Sequence, residues 1–196
     1  MNEQLELGIT PQSSTLVPTR YADSYPGRTT RAARRYISPR SRPLSAKEQE
    51  TRVLAYALKN RDCPESALQL AAREMAELII GGPVHLVPAP SHTGDTAANR
   101  RLAHAIAGYV AGATVHDILT RTEPAPSACD RHRLRLPQIT VAGHHIVRRP
   151  GKPIPCKITY IVDNVTTSGT TIKACIAALG FGTGLVFADA TFHRYR

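Results

Sequence analysis

The sequence lacks the features that mark several large classes of protein. Its 196 residues include no tryptophan, and aromatic residues make up only 5% of the chain. No apolar run approaches the roughly 20 residues that a bilayer-spanning helix needs. The opening residues, MNEQLELGITPQSS, have neither the basic nor the apolar region of a secretory signal. We therefore expect a soluble cytoplasmic protein that has no membrane partner.

The cysteines are too scattered for a disulfide framework or a zinc ribbon, because none stands in a C-x-x-C pair. Cys129 and His132 form one C-x-x-H pair, and His144 and His145 follow, but a second liganding pair at zinc spacing is missing. We therefore expect reduced thiols and favour a loop over a metal site here. The four cysteines are Cys63, Cys129, Cys156 and Cys175.

Positive charge is in excess, with 25 lysines and arginines against 15 acidic residues and a formal net charge of +10. This balance favours anionic partners, either phosphorylated metabolites or nucleic acid. Charge alone does not separate these two classes. The same surplus also suits a protein that uses it only for solubility.

The first 44 residues have the composition of a disordered arm. They are rich in Pro, Ser, Thr and Arg and have too little apolar periodicity to offset chain entropy. In an arginine series with neighbouring tyrosines, the arginines can bind phosphates and the tyrosines can stack on bases. A solvated tail can have the same composition. We assign residues 1–44 to a basic arm that is a candidate nucleic-acid contact. The arginines are Arg28, Arg31, Arg34, Arg35, Arg40 and Arg42.

Residues 45–196 have the length and pattern of one α/β domain. A strand, a helix and a second strand in succession form a β-α-β unit, which implies a parallel sheet. Residues 121–137 show no steady hydrophobic period. The segment is long for a connection without its own structure, and loops of this length are usually functional or disordered. The expected elements are helices from Ser45 (capped by Glu48) and from Pro64, a strand at Val84–Val87, a helix over 98–112, and strands at Thr114–Leu119 and Ile139–Val147.

The most informative segment is a strand, a polar loop and a helix in direct succession. Lys157–Val162 is rich in β-formers, Asp163–Thr171 is acidic and hydroxyl-rich, and an apolar stripe then leads to Gly180 at a helix C-terminus. The glycines after it open a further strand at Leu185–Ala188.

This arrangement predicts a cradle for a sugar phosphate. A helix N-terminus offers unpaired N–H groups and a positive dipole end, and Gly169 lets the chain turn close to a phosphate. Asp163 and Asn164 stand at the strand end, where they can hydrogen bond to sugar hydroxyls. We therefore expect a ribose 5-phosphate at this loop. Hydroxyl donors come from Thr166, Thr167, Ser168, Thr170 and Thr171.

Other phosphate-binding motifs are missing. The sequence contains neither G-x-x-x-x-G-K-[ST] nor G-x-G-x-x-G, and its glycine cluster Gly180–Gly184 follows a helix instead of opening one. Two alternatives stay open for Asp163–Thr171: another kind of phosphate-binding turn, or a capped helix without a ligand.

The loop resembles the phosphoribosyl pyrophosphate (PRPP) signature of type I phosphoribosyltransferases, in which an apolar strand precedes two acids and a T-T-G-x-T-like loop. Leu86–Pro90 is similar to the V-P-x-P pyrophosphate loop of the ComF-like competence proteins in that family, and Asn99 follows it as it does there. The resemblance extends over residues 84–188. It implies a phosphoribosyltransferase type I fold, with a mostly parallel sheet flanked by helices and a small hood.

The resemblance also implies Mg²⁺ as cofactor and transfer of the phosphoribosyl group to a nitrogenous acceptor, a glycosyl transfer of nucleotide metabolism. By resemblance, Asp163 and Asn164 serve catalysis, Asp163 also holds the metal, and the 5-phosphate lies on residues 166–171. Segments 50–58 and 191–196 are the candidate hood. The pyrophosphate contacts would be Ala89, Pro90 and Ser91, and the flexible-loop candidates are Arg131, Arg133 and Arg135.

The sequence departs from the family pattern in three ways, and Asn164, the basic arm and the excess of positive charge favour an alternative. The chain has no N-terminal cysteine module, the second acid is Asn164, and the usual R-G-x-N is reduced to the run from Asp95 to Arg101. The alternative is a catalytically weak protein on the same fold that senses PRPP or a nucleotide, or binds nucleic acid, as in a defence-system effector. A homo-oligomer or a protein partner is compatible with both hypotheses.

Overall fold

A computed structural model describes residues 30–37, 42–126, 128–151 and 158–190, without the side chains of Ala128, Cys129 and His132. The fold is α/β, with a parallel sheet flanked by helices. Among the described residues no helix is both long and apolar enough to span a bilayer. The elements are β1 (Thr30–Arg35), α1 (Ala46–Ala57), α2 (Glu65–Ala76), β2 (His85–Pro88), α3 (Ala97–Ala107), β3 (Thr114–Val115), β4 (Leu119–Arg121), α4 (Ala128–Arg133), a 3₁₀ turn (Ala142–His144), β5 (Ile146–Arg148), β6 (Thr159–Thr166), α5 (Thr170–Leu179) and β7 (Thr183–Asp189).

The main sheet has five strands in the order β1-β7-β6-β2-β3, and every neighbouring pair is parallel. The chain moves from β2 outward to β3 on one side, and from β6 outward to β7 on the other. The direction of winding therefore reverses between β2 and β6. β4 and β5 form a separate antiparallel ribbon that carries the segment between them.

Two hydrophobic layers cover the sheet, one on each face. Successive residues of β6 alternate between them, because side chains along a strand point to opposite faces. Tyr160 and Val162 pack with helices α1 to α3, whereas Ile161 packs with α5. Each large side chain that is fully buried in these layers contributes about 1.5–3 kcal/mol. The largest are Phe187, Met75, Leu86, Leu102, Ile106, Leu119, Ile161, Ile172 and Leu185.

The predicted helix boundaries with local capping signals are confirmed. The Ser45 hydroxyl accepts from the Glu48 N–H at 3.4 Å, and the Glu48 carboxylate accepts from the Ser45 N–H at 2.8 Å, which completes the capping box. Gly180 closes α5 in the left-handed conformation with φ of 85°, which glycine adopts without strain. α2 begins at Glu65, directly after the predicted start at Pro64, and ends at Ala76.

The assignment of residues 1–44 to a disordered arm is wrong for Thr30–Arg35, which form edge strand β1 along β7. Ala32 and Ile37 are only 8% and 3% exposed. Arg34 makes two 2.7 Å hydrogen bonds to the Glu74 carboxylate and lies over the Phe187 ring. β1 consists of small and basic residues, so its composition resembles that of a tail. The contacts that hold it come from residues distant in sequence.

Of the other arginines in the series, some make contacts within the fold and others lie outside the described residues. Arg31 donates to the Leu78 carbonyl at 2.7 Å, and Arg42 pairs with Glu48 at 2.6 Å. Arg28 and Arg40 lie outside the described residues. Arg31 and Arg34 of β1 therefore hold the edge strand against α2 and the residues that follow it.

The middle of the chain is less regular than predicted. The expected strand Thr114–Leu119 is divided into β3 in the main sheet and β4 in the ribbon. Of the expected strand Ile139–Val147, only Ile146 and Val147 belong to β5, because a 3₁₀ turn and His145 with φ of 50° interrupt the extended chain. The expected loop 121–137 contains the short helix α4.

We predict that β1 is needed for stability. Deleting residues 1–37 removes the β1 ladder, the Arg34–Glu74 pair and two buried apolar side chains, so the free energy of unfolding should fall by several kcal/mol. Deleting residues 1–29 is the matched control, since it keeps all of these contacts. Urea unfolding monitored by circular dichroism measures both variants. Equal stability of the two would contradict the role of β1.

Candidate functional site

The candidate site lies where the carboxyl ends of β2 and β6 meet. Pro88 stands beside Val162 in the register, and the Ala89 N–H donates to the Val162 carbonyl at 2.9 Å. The winding of the sheet reverses between these two strands. In open α/β sheets, ligands bind in the crevice outside the carboxyl ends of the strands at such a reversal.

Asp163 is the acidic group of this crevice. One of its carboxylate oxygens accepts from the Asn99 side-chain amide at 3.1 Å and from the Asn164 N–H at 2.8 Å. Burial raises the pKa of the Asp163 carboxyl to about 6. The two hydrogen bonds and the charges of Lys59 and Arg121 act in the opposite direction. Asp163 is therefore a carboxylate at neutral pH, held in a site that disfavours its charge.

Asn99 joins the two strand ends. Its amide nitrogen donates to the Ala89 carbonyl at 2.9 Å as well as to Asp163. The residue is only 7% exposed, yet its side-chain oxygen has no hydrogen-bond partner among the described residues. A buried amide oxygen without a partner costs about 1–3 kcal/mol, a cost that a ligand hydroxyl or a cation would offset if it reached this oxygen. The sequence resemblance placed Asn99 in a motif but gave it no role.

Asn164 is oriented differently from Asp163. Strand β6 extends four residues beyond its predicted end at Val162, because Asp163, Val165 and Thr166 still pair with β7. Adjacent strand residues point to opposite faces, so Asp163 and Asn164 diverge. The Asn164 side-chain oxygen accepts from the Val165 N–H at 2.7 Å, and the residue is 9% exposed. Asn164 thus bonds to the backbone of its own strand.

Residues 166–171, called the phosphate loop here because a phosphate is predicted to bind them, have the predicted form of a strand end that turns into a helix. The Thr166 hydroxyl accepts from the Gly169 N–H at 3.0 Å, and Gly169 has φ of 73° and stands at the N-cap of α5. The first-turn N–H groups of a helix have no intrahelical acceptor. A Cβ built at Gly169 would meet nothing within 4 Å. The loop therefore presents backbone donors to open space.

Four hydroxyl residues of this loop are partly or fully accessible: Thr167, Ser168, Thr170 and Thr171. The Ser168 and Thr170 hydroxyls are hydrogen bonded to each other at 2.8 Å. The remaining hydroxyl, on Thr166, is buried and shapes the turn.

The loop after β2 is less open than the phosphate loop. Ala89 and Pro90 are buried, and both backbone groups of Ala89 are engaged, with Val162 and Asn99. Ser91 is partly exposed, and its N–H donates to the Asp95 carbonyl at 2.8 Å. Of the three residues expected to contact pyrophosphate, Ser91 alone offers an accessible side chain.

Arg121 and His144 connect the two loops, a contact that the sequence analysis did not predict. Arg121, at the end of β4, donates through Nε to the Ser91 carbonyl at 2.9 Å and through Nη2 to His144 Nδ1 at 3.1 Å. It also donates to the His144 carbonyl. His144 Nε2 lies 3.1 Å from the Thr170 hydroxyl. The ribbon of β4 and β5, with the segment between these strands, thus contacts both the loop after β2 and the phosphate loop.

The three flexible-loop arginines lie on or beside α4. Arg131 donates to the Pro137 carbonyl at 3.0 Å, and Arg133 pairs with Asp130 at 3.1 Å. Arg135 is exposed and has φ of 54°. A cavity of about 340 Å³ is lined by Arg131 and His145 together with residues 124–126 and 138–140, and not by the phosphate loop.

Metal-ligating side chains are sparse. No group of three or more His, Cys, Asp or Glu residues is positioned to hold a metal ion in the described ranges. Mg²⁺ needs fewer protein ligands, since it usually binds through one or two carboxylates and the phosphates of its substrate. Cys63 and Cys175 are buried free thiols, and burial raises the pKa of both. Cys156 and the side chains of Cys129 and His132 lie outside the described part of the chain.

Comparison with known proteins assigns no family. No protein-family model matches the chain, and no curated protein matches it at a significant level.

We predict that Asp163→Asn stabilises the protein. The native pKa of about 6 lies above the ordinary value of 3.8, so Asp163 lowers stability as pH rises from about 4 to 6 and keeps it lowered above that range. Asparagine keeps the acceptor for Asn99 and removes the charge, which should add about 2 kcal/mol at pH 7.5. The gain should shrink at pH 4.5, where wild-type Asp163 is protonated. Urea unfolding in chelator at both pH values tests this, and a gain that is equal at the two would contradict it.

Proposed function

We propose that the protein has a phosphoribosyltransferase type I fold and binds PRPP or a related ribose 5-phosphate. The observation that carries this proposal is the meeting of Asp163, the buried Asn99 oxygen and the open N-terminus of α5 at one reversal of the sheet. A ligand with a phosphate at one end and vicinal hydroxyls at the other matches these groups.

The phosphate end of the ligand would lie on residues 166–171. Backbone N–H groups and the dipole of α5 favour an anion there, and Ser168 and Thr170 add hydroxyl donors. The site needs no lysine, because these donors are already directed at one region. The positive charge of Arg121, which acts on Asp163, lowers the cost of bringing a polyanion into the crevice.

The sugar end would lie at Asp163 and Asn99. A carboxylate accepts from both hydroxyls of a ribose, and the Asn99 oxygen is a further acceptor that lacks a partner. Ser91, three residues after β2, would contact the pyrophosphate group. The ligand would thus bridge the two adjacent strand ends.

Mg²⁺ is compatible with this donor set. Asp163 offers a carboxylate and Asn99 an amide oxygen, both of which are ligand types that Mg²⁺ accepts. When bound, Mg²⁺ would neutralise part of the pyrophosphate charge. Within the described residues the protein would supply at most these two oxygens, and the ligand would supply the rest.

The reaction that fits the site is transfer of the phosphoribosyl group to a nitrogen nucleophile. The bond between the anomeric carbon and pyrophosphate breaks, with the electron pair leaving on pyrophosphate, and a carbon–nitrogen bond forms as the nucleophile loses its proton. Positive charge develops on the ribose ring, and the Asp163 carboxylate stabilises it at close range. Positioning and charge stabilisation dominate, so the site needs no strong general base.

A second candidate is a PRPP-binding sensor with little turnover, and the geometry of Asn164 favours it. The second position of the acid pair carries no charge here, and its oxygen is bonded to the Val165 N–H. The site would therefore bind the sugar through Asp163 and lack the second negative charge of the acid pair. The two candidates differ in the rate of pyrophosphate release, not in the ligand.

We predict that PRPP binding in the presence of Mg²⁺ depends on Asp163. Asp163→Ala removes the carboxylate and one of the two acceptors of the Asn99 amide, so the affinity should fall at least 100-fold, equivalent to about 2.7 kcal/mol. Asp130→Ala, a carboxylate on α4, is the matched control and should bind as wild type does. Isothermal titration calorimetry measures all three proteins. Undiminished binding by Asp163→Ala would exclude the proposed cradle.

Turnover should increase in Asn164→Asp. The new carboxylate still accepts from the Val165 N–H and adds negative charge one residue from Asp163, which favours the developing positive charge. We expect pyrophosphate release to rise several-fold while thermal stability falls, because the added charge is buried. An enzyme-coupled pyrophosphate assay compares the variant with wild type. Rapid wild-type release that the substitution leaves unchanged would rule out the sensor.

A further inference from the structure

Four side chains form one continuous hydrogen-bonded path from β4 to the phosphate loop. Arg121 Nη2 lies 3.1 Å from His144 Nδ1, and His144 Nε2 lies 3.1 Å from the Thr170 hydroxyl. Thr170 is in turn 2.8 Å from the Ser168 hydroxyl. The path ends on the two hydroxyls that flank the N-terminus of α5.

The direction of the first two bonds is fixed by arginine chemistry. A guanidinium only donates, so His144 Nδ1 must accept and its proton must be on Nε2. Nε2–H then donates to the Thr170 oxygen. Burial and the neighbouring Arg121 lower the pKa of His144 to about 4, so the ring is neutral at physiological pH. Arg121 thus selects one tautomer of His144.

This tautomer leaves one hydroxyl proton without an acceptor in the path. Ser168 and Thr170 carry two hydroxyl protons, and the bond between them uses one. Because His144 donates to Thr170, it cannot take the other. With the opposite tautomer, His144 Nε2 would accept a hydrogen bond from the Thr170 hydroxyl. Both hydroxyl protons would then have acceptors within the protein.

We propose that Arg121 and His144 are positioning residues that reserve one hydroxyl proton of the Ser168–Thr170 pair for an anionic acceptor. This inference rests on the proposed function, in which that acceptor is the 5-phosphate. It makes the pair selective for a group that accepts hydrogen bonds over a group that donates them. The same Arg121 holds the Ser91 carbonyl at 2.9 Å, so one side chain aligns the loops at both strand ends.

The His144 side chain can be tested with two substitutions of similar size. His144→Gln keeps an acceptor for Arg121 and a donor for Thr170, whereas His144→Leu keeps neither. We expect His144→Leu to weaken PRPP and ribose 5-phosphate binding about tenfold, about the effect of one hydrogen bond. His144→Gln should restore most of the affinity. Thermal unfolding of both variants separates this effect from a general loss of stability.

A double-mutant cycle with Thr170→Val identifies the route of the effect. If His144 acts on the ligand through the Thr170 hydroxyl, adding His144→Leu to Thr170→Val should cause no further loss of affinity. Ring ¹⁵N NMR of the wild type, with the His144 signals assigned by their loss in His144→Gln, should show the Nε2–H tautomer at pH 7.

The outcomes separate this inference from the proposed function. If the wild type binds neither PRPP nor ribose 5-phosphate, the proposed function fails and the inference fails with it. If the wild type binds and His144→Leu binds equally well, the inference alone is overturned. Additive losses in the cycle, or an Nδ1–H tautomer, would also overturn it while the phosphate site stands.

Discussion

The pairing of β2 with β6 is the constraint on which the candidate site depends. These strands run side by side from His85 and Thr159 to Pro88 and Val162, and the Ala89 N–H extends the ladder by one bond. Their connections leave in opposite directions, so no crossover covers the crevice between their ends. Two short loops that are about 75 residues apart in sequence therefore open beside each other. Every contact between them, from Asn99 to Arg121, follows from this register.

The polar groups in the crevice are arranged at a cost to stability. Asp163 keeps a charge that its surroundings disfavour, and the Asn99 oxygen lacks a partner within the described chain. Apolar residues of similar size would fill the same volume more favourably. Titratable groups with strongly perturbed pKa values cluster at functional sites. The two groups share one hydrogen bond, so these two costs arise at the same place in the fold.

The sequence predicts best what local signals determine. The strand, loop and helix from Thr159 to Gly180 were identified because β-formers, hydroxyl residues and an apolar stripe follow one another, and the capping box at Ser45 is equally local. β1 was missed because its stability comes from Glu74 and β7, which are distant in sequence. The contacts of His144 were missed for the same reason, because its partners lie 23 and 26 residues away. The orientation of Asn164 depended on where β6 ends, which the pairing with β7 decides.

The position of β1 has a consequence for the order of folding. Thr30 pairs with Gly184 and Arg35 with Asp189, so the first described strand of the chain finds its neighbour in the last. Closing a loop of this length carries an entropic cost that contacts nearer in sequence do not have, and contacts of long range slow folding. During synthesis, β1 cannot pair with β7 until the residues up to Asp189 have left the ribosome. The β2-α3-β3 unit can assemble long before that, so the edge of the sheet that is made first is completed last.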